Sequence, residues 1–267
     1  MTPFEAGTAV RPVGENRYEG HVDPAWRVVR GAHGGYIAAI ILRALTAALD
    51  DPERPVRSFT THFMAAPAEG PVEVVTKVER EGRSMTFMSA TLEQEGRPVA
   101  LSLAAFSGGR DSFSFDDTLM PEIGPPDAGF KVPATGEGVP AFLGNFDMRW
   151  LIGDPPFSGG AKAELGGWIR LDPPTLADAP VVACLLDAWA PAIFPRATER
   201  VVCPTIDLTM HFRSPIPHPG AKPEDFYLGH FWSKLSRDGF FEEDGELWSS
   251  DGTLLAQSRQ LALAIPG

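Results

Sequence analysis

Cysteine is scarce: the 267 residues include two, Cys184 and Cys203. Two thiols make neither a disulfide framework nor a thiolate cage for a metal, and both read as small apolar core residues of a cytoplasmic protein. Long apolar runs are missing as well. The longest, Tyr36 to Leu42 and Ala179 to Leu186, fall far short of the ~20 residues that a membrane-spanning helix needs. The first twenty residues hold no basic stretch leading into an apolar core, so no secretory leader is expected. Positive charge is in deficit: 23 Lys and Arg against 35 Asp and Glu give a net charge of −12. Such a chain is a poor partner for nucleic acid or for an anionic membrane surface. A small anionic ligand held by a few local Arg or Lys stays open. The six histidines are scattered, with no H-E-x-x-H, so no metal site is expected. There is no G-x-S-x-G nucleophile elbow either, which argues against an α/β-hydrolase.

Glycine and proline are what the chain has in excess, 27 and 26 residues, beside a 43% apolar share that suffices for a packed core. The excess is uneven. Residues 108–144 hold seven glycines and five prolines, and no hydrophobic period crosses them. A stretch of this kind reads as a linker, leaving residues 1–107 and 145–267 as two domains. Within it, Gly136 to Ala141 formally matches a dinucleotide-binding fingerprint, but no strand precedes it and Pro140 interrupts the helix it would open.

The two domains echo each other. Thr60 and His62 are matched by Thr209 and His211, each 149 positions on. Arg80-Glu81-Gly82 is matched by Arg237-Asp238-Gly239, and the Glu95-Gly96 turn by Asp251-Gly252, in the same order. The echo predicts an internal duplication. Each copy opens with a helix: Ala32 to Leu49, with Ile37, Ile40, Ile41, Ala44 and Leu45 at helical spacing, and Leu176 to Ala190, ended by Pro191. Alternating strands follow each helix, joined by turn signals such as Glu95-Gly96 and Asp251-Gly252. A helix and then an antiparallel meander, twice over, predicts an α+β protein in which each helix is wrapped by a curved sheet.

Gly31-Ala32-His33-Gly34-Gly35-Tyr36 opens the first helix. Glycines there admit another chain or a ligand close to the backbone, and the free N–H groups of the first turn can hold a carbonyl oxygen or an anion. Packing alone is the competing reading of the same glycines. In the second copy Asp187 stands in an apolar stretch between Ala183 and Ala190, as a site carboxylate, a costly buried charge or a helix-surface residue. Gln260 shares a strand face with the small Ala256, Ser258 and Ala262. Strand alternation puts Thr205 on the face opposite Ile206 and Leu208, together with Asp207, Thr209 and His211. That face either lines a pocket or is solvated.

The order of these segments resembles the hotdog fold, and the tandem copy resembles the double-hotdog acyl-CoA thioesterases of the type II and thioesterase-like superfamily. The resemblance rests on His33-Gly34-Gly35, Arg57-Ser58-Phe59 with His62-Phe63, Leu185-Leu186-Asp187, Thr205 to Phe212, and Ser249 to Ala256 running into Gln260. It covers nearly everything outside residues 108–144. It implies hydrolysis of acyl-CoA by a water that Asp187, Thr205 and Gln260 hold, with no metal or redox cofactor and coenzyme A only as part of the substrate. His33, Gly34 and Gly35 would then touch substrate, the helix entry polarising the thioester carbonyl. Position by position, Gln260 corresponds to Ala104, and the first helix has no acidic residue, so one active site per chain is expected. Arg27, Arg30, Arg57 and Arg213 are open as partners of the coenzyme A phosphates, and a homodimer is compatible with the fold. Two alternatives stay open: a hotdog hydratase or dehydratase, which needs a His and an Asp facing each other across the substrate, and a non-catalytic acyl-CoA-binding module.

Overall fold

The computed structural model describes residues 1–29 and 31–267; Arg30, weighed above as a phosphate contact, lies outside the described residues. In the first half, Pro3–Thr8 (α1), Arg11–Gly14 (β1) and Arg17–Val22 (β2) precede the long helix Gly34–Leu49 (α2). Val56–Phe63 (β3), Gly70–Glu81 (β4), Thr86–Gln94 (β5) and Arg97–Phe106 (β6) follow. In the second half come Phe130–Lys131 (β7), Phe146–Ile152 (β8), Ala163–Leu171 (β9), Ala179–Leu185 (α3) and Val201–Val202 (β10). The chain closes with Thr205–Phe212 (β11), Tyr227–Ser233 (β12), Ser236–Arg237 (β13), Phe240–Trp248 (β14), Leu254–Leu263 (β15) and Ile265–Pro266 (β16).

One antiparallel sheet runs through both halves in the order β1-β2-β4-β5-β6-β3-β11-β15-β14-β12-β9-β8-β7. The duplicated strands β3 and β11 meet at its centre. Thr60 lies directly opposite Thr209, with their hydroxyl oxygens 3.0 Å apart. This pair, 149 apart in sequence, marks an approximate two-fold axis, and the strands order themselves outward from it in matching succession. Both hairpin turns form where their sequences call for them. Glu95 and Gly96, for instance, take φ of 53° and 73°, the left-handed pair that a two-residue hairpin demands.

Helix α2 forms because eleven of its sixteen residues are Ala, Leu or Ile, and Asp50 closes it in a left-handed cap. The sequence shows one apolar stripe, but the structure buries α2 on every side. Tyr36 to Leu42, Ala44 and Leu45 are all at most 1% exposed, because the curved sheet wraps one flank and α3 packs on the other. Arg43, its one charged residue, reaches out to Thr8 Oγ1 at 2.7 Å and to Asp178 at 3.1 Å. Asp178 in turn caps α3 by accepting from Val181 N–H at 3.0 Å.

Helix α3 is shorter than its apolar run suggests. Regular pairing ends at Leu185, and Asp187 and Ala188 donate only to carbonyls three residues back, at 3.3 and 3.4 Å. The last turn is tightened, and Asp187 sits in it rather than along a helix flank. Between the halves, regular structure within residues 108–144 is limited to the 3-10 turn Pro126–Ala128, β7 and the start of a second 3-10 turn, Ala141–Asn145. That last turn packs the Phe142 ring on the imidazole of His33, 4.9 Å apart and 12° from parallel.

Candidate active site

The close approach of α2 and α3 places Asp187 against the first turn of α2. Gly35 N–H donates to Asp187 Oδ2 at 2.6 Å. A Cβ on Gly34 would stand 2.8 Å from the same oxygen, and one on Gly35 would stand 2.9 Å from Asp187 Cβ and from the Cys184 carbonyl oxygen. Gly35 is therefore required by this contact, whereas at Gly34 the crowding comes from the carboxylate end itself. The helix entry that the sequence offers to a substrate carbonyl thus gives one of its N–H groups to the protein's own carboxylate.

His33 completes this cluster. Its Nδ1 accepts from Tyr36 N–H at 3.1 Å, so its proton is on Nε2, which donates to the main-chain oxygen of Asp187 at 2.8 Å and lies 3.5 Å from Oδ2. Burial holds the His33 pKa below the ordinary imidazole value, against the opposing pull of Asp187. Burial likewise pushes the Asp187 carboxyl up, and His33 and the Gly35 N–H partly offset it. A neutral imidazole next to a carboxylate of raised basicity is the result. Cys184, with its sulfur 3.9 Å from His33 Nδ1, is held as a thiol by burial and by Asp187.

Thr205 and Gln260 meet on the inner face of the sheet, where the Thr205 hydroxyl donates to Gln260 Oε1 at 2.8 Å. Strict alternation puts Thr205 with Asp207 and Thr209, and that placement is wrong. A bulge between Thr205 and Asp207 sets Thr205 opposite Ala262 and Leu208 opposite Gln260. One extra residue turns Thr205 to the inner side, where Leu208 and Gln260 also point. Asp207, Thr209 and His211 remain on the outer face, with Thr209 engaged with Thr60 and His211 exposed. His62 lies outward too, opposite Asp207.

Two residues that sequence reading passes over join this pair to the Asp187 turn. Gln260 Nε2 donates to Glu243 Oε1 at 2.6 Å, and Glu243 Oε2 accepts from the backbone N–H of Ala192. Glu243 is 5% exposed, and burial together with the nearby charge of Asp187 pushes its pKa up to about 7. Within Phe240-Phe241-Glu242-Glu243-Asp244 it reads as part of an acidic surface run. Its inward phase, shared with the buried Phe241, is the only signal the sequence carries. Among the described residues, no direct hydrogen bond joins Asp187 to Thr205 or Gln260. The segment from Asp187 to Ala192 spans the two groups. Of the basic residues weighed for phosphate contacts, Arg57 donates through Nε to the Ser107 carbonyl at 2.8 Å, and Arg27 and Arg213 are exposed. No helix among the described residues is long and apolar enough to cross a membrane.

The sequence matches two family profiles, described as the acyl-CoA thioesterase N-terminal domain over residues 22–107 and the acyl-CoA thioesterase C-terminal domain over residues 120–264. Similar solved structures span essentially the whole chain. A conserved hotdog-fold protein of unknown function from Alicyclobacillus acidocaldarius is 26% identical, with a TM-score of 0.86 over 100% of this chain and 99% of that one. A candidate thioesterase II from Thermobifida fusca is 28% identical, with a TM-score of 0.83 over 99% of this chain and 98% of that one. An acyl-CoA thioesterase II from Mycobacterium marinum, at 21% identity, shares the fold with a TM-score of 0.78 over 99% and 98%. No curated protein sequence matches.

Proposed function

The chain belongs to the acyl-CoA thioesterase family, with the double-hotdog fold, and from that premise we propose that it hydrolyses acyl-CoA by direct attack of water. Two contacts support the mechanism: the buried Asp187 carboxylate is held by Gly35 N–H, and the Thr205 oxygen has its own proton committed to Gln260. A water giving one hydrogen to each would aim a lone pair at the thioester carbon. As the O–C bond forms, the water proton passes to Asp187. As the C–S bond breaks, that proton passes to the departing thiolate, leaving a carboxylic acid and coenzyme A. The raised basicity of Asp187 suits it to take the proton.

The first turn of α2 suggests the remaining component. Gly35 N–H goes to Asp187, Tyr36 N–H to His33 Nδ1 and Ile37 N–H to the His33 carbonyl. We assign the remaining donor of the helix entry, Gly34 N–H, to the thioester oxygen, where negative charge grows in the transition state.

The test is release of free thiol and free acid in equal amounts over an acyl-CoA series from short to long chains. Tight binding with no release would select a binding module instead. On the same substrates, Thr205→Val keeps the side-chain shape and removes the hydroxyl. It is expected to lower kcat about 10- to 100-fold with KM little changed, the signature of a contact used in the transition state.

The contact of His33 with Asp187 favours a second reading, hydration of enoyl-CoA by a His–Asp pair. Against it, both ring nitrogens of His33 are engaged by backbone groups and its face is covered by Phe142. His33 orients Asp187 in this arrangement. Loss of the enoyl absorbance without thiol release would reverse that conclusion.

A further inference from the structure

We propose that Glu243 is a positioning residue that sets the direction of the hydrogen bonds running through Gln260 to Thr205, and thereby makes Thr205 an acceptor of the attacking water. The proposal rests on the reading that Thr205 and Asp187 hold that water.

The direction is set from one end. The backbone N–H of Ala192 can only donate, and it occupies Glu243 Oε2. An ionised Glu243 accepts again at Oε1, so Gln260 must turn its NH2 group there and its oxygen towards Thr205. The Thr205 proton is thereby drawn to Gln260. Because a hydroxyl has one proton to give, Thr205 meets water only through its lone pairs.

A neutral group at position 243 reverses this sequence of donors. With its carbonyl oxygen on Ala192 N–H, a protonated Glu243 presents its O–H to Gln260. Gln260 then shows its oxygen to Glu243 and its NH2 group to Thr205. Thr205 becomes free to donate to the water and to draw its lone pair away from the thioester. Ionisation of Glu243 is thus the switch between a productive and an unproductive arrangement, with activity gained as pH rises. The titratable groups that face it are Asp187 in the turn after α3, Cys203 just before β11 and Asp244 on its own strand. Burial and Glu243 together push the Cys203 thiol up to about 12, so its charge does not enter, while the charges of Asp187 and Asp244 both hold Glu243 up.

Glu243→Gln copies the protonated state at every pH. In thiol-release assays of the full chain, wild-type kcat should rise through about pH 7, where Glu243 loses its proton. Glu243→Gln should lack that step and run at least about 10-fold slower at pH ~8, with KM unchanged, as expected for misoriented water. The exchange Glu243→Gln with Gln260→Glu restores the direction, since residue 260 then accepts from both neighbours. It should recover a clear part of the rate that Gln260→Glu alone loses.

A wild-type kcat and pH profile in Glu243→Gln would overturn the proposal, as would a double variant no faster than Gln260→Glu. Infrared titration gives a readout free of turnover: a carboxylic acid band that disappears near pH 7 in the wild type and is absent from Glu243→Gln. Absence of that band from the wild type also overturns it. Asp187→Asn separates the two levels. If it is inactive while Glu243→Gln is fully active, only the role of Glu243 fails; if it is fully active, the water site fails and the role of Glu243 with it.

Discussion

Asp187→Asn should lower kcat by about 10³-fold, within the range of a lost general base, and leave the fold intact. Asparagine has the shape of aspartate and can still accept from Gly35 N–H through its oxygen. Its NH2 group, however, faces the water with hydrogens and cannot take up a proton. Stability should move the other way. Burial raises the Asp187 pKa in the folded state. Its favourable contribution to stability is therefore fully present below the ordinary carboxylate pKa and is lost as pH rises through the raised value. At pH ~8 the neutral amide escapes that cost, so Asp187→Asn should unfold at the same temperature as the wild type or a higher one. Steady-state thiol release and thermal unfolding on one preparation test both halves. An undiminished rate would remove Asp187 from the mechanism, and a marked fall in Tm would show that the activity loss came from structure.

Gly35→Ala is the second large effect, and two principles disagree about its sign. Within a helix, replacing glycine by alanine is favourable by about 1 kcal/mol. Here the added carbon would meet Asp187 Cβ and the Cys184 carbonyl oxygen, both at 2.9 Å, and Cys184 Cα at 3.0 Å. These atoms belong to the stem of α3 and its last turn, and no flexible side-chain end can swing away. Overpacking of this kind costs about 1–3 kcal/mol, and with three contacts at or below 3.0 Å the upper part of that range applies. A net loss of about 1–2 kcal/mol should result, lowering Tm by several degrees at a scale of roughly 2–4 °C per kcal/mol. On the proposed mechanism activity should suffer more than stability, because the displaced group is the carboxylate assigned to the water and a shift of about 1 Å can cost 10²-fold in rate. Thermal unfolding and kcat measured together decide the matter: a raised Tm would mean that α3 moves aside freely.

Much of the architecture is legible in the sequence because local rules and tertiary context agree. The apolar spacing of α2, the glycine turns and the faces of β15 each follow from a period or a left-handed residue, and the duplication supplies the rest. The site is legible in its members and not in its geometry. Nothing in Thr205-Ile206-Asp207 announces a bulge, so alternation misplaces Thr205. The apolar run around α3 does not reveal that Asp187 sits in a tightened turn instead of on a helix flank. Glu243 is concealed by its acidic neighbours, since burial of a carboxyl is decided by what lies across the sheet and not by residues beside it in sequence. The glycines of α2 invite a ligand in sequence, but half of their purpose is to let Asp187 in.

The seam where β3 meets β11 carries one more consequence. Asp187 from the second copy is held by Gly35 from the first, so the proposed centre is a junction between two bodies that covalent linkage keeps at a high effective concentration. A centre shared by two separate chains of this fold would come apart on dilution, whereas here the contact between Asp187 and Gly35 is expected to survive it. Linkage also removes a genetic constraint. In a pair of identical chains every substitution appears on both sides of the axis. In this chain the position matching Gln260 could become Ala104, and the first helix could keep its glycines free of any acidic residue. On the proposed mechanism the two copies divide the work, one presenting backbone donors and the other the carboxylate.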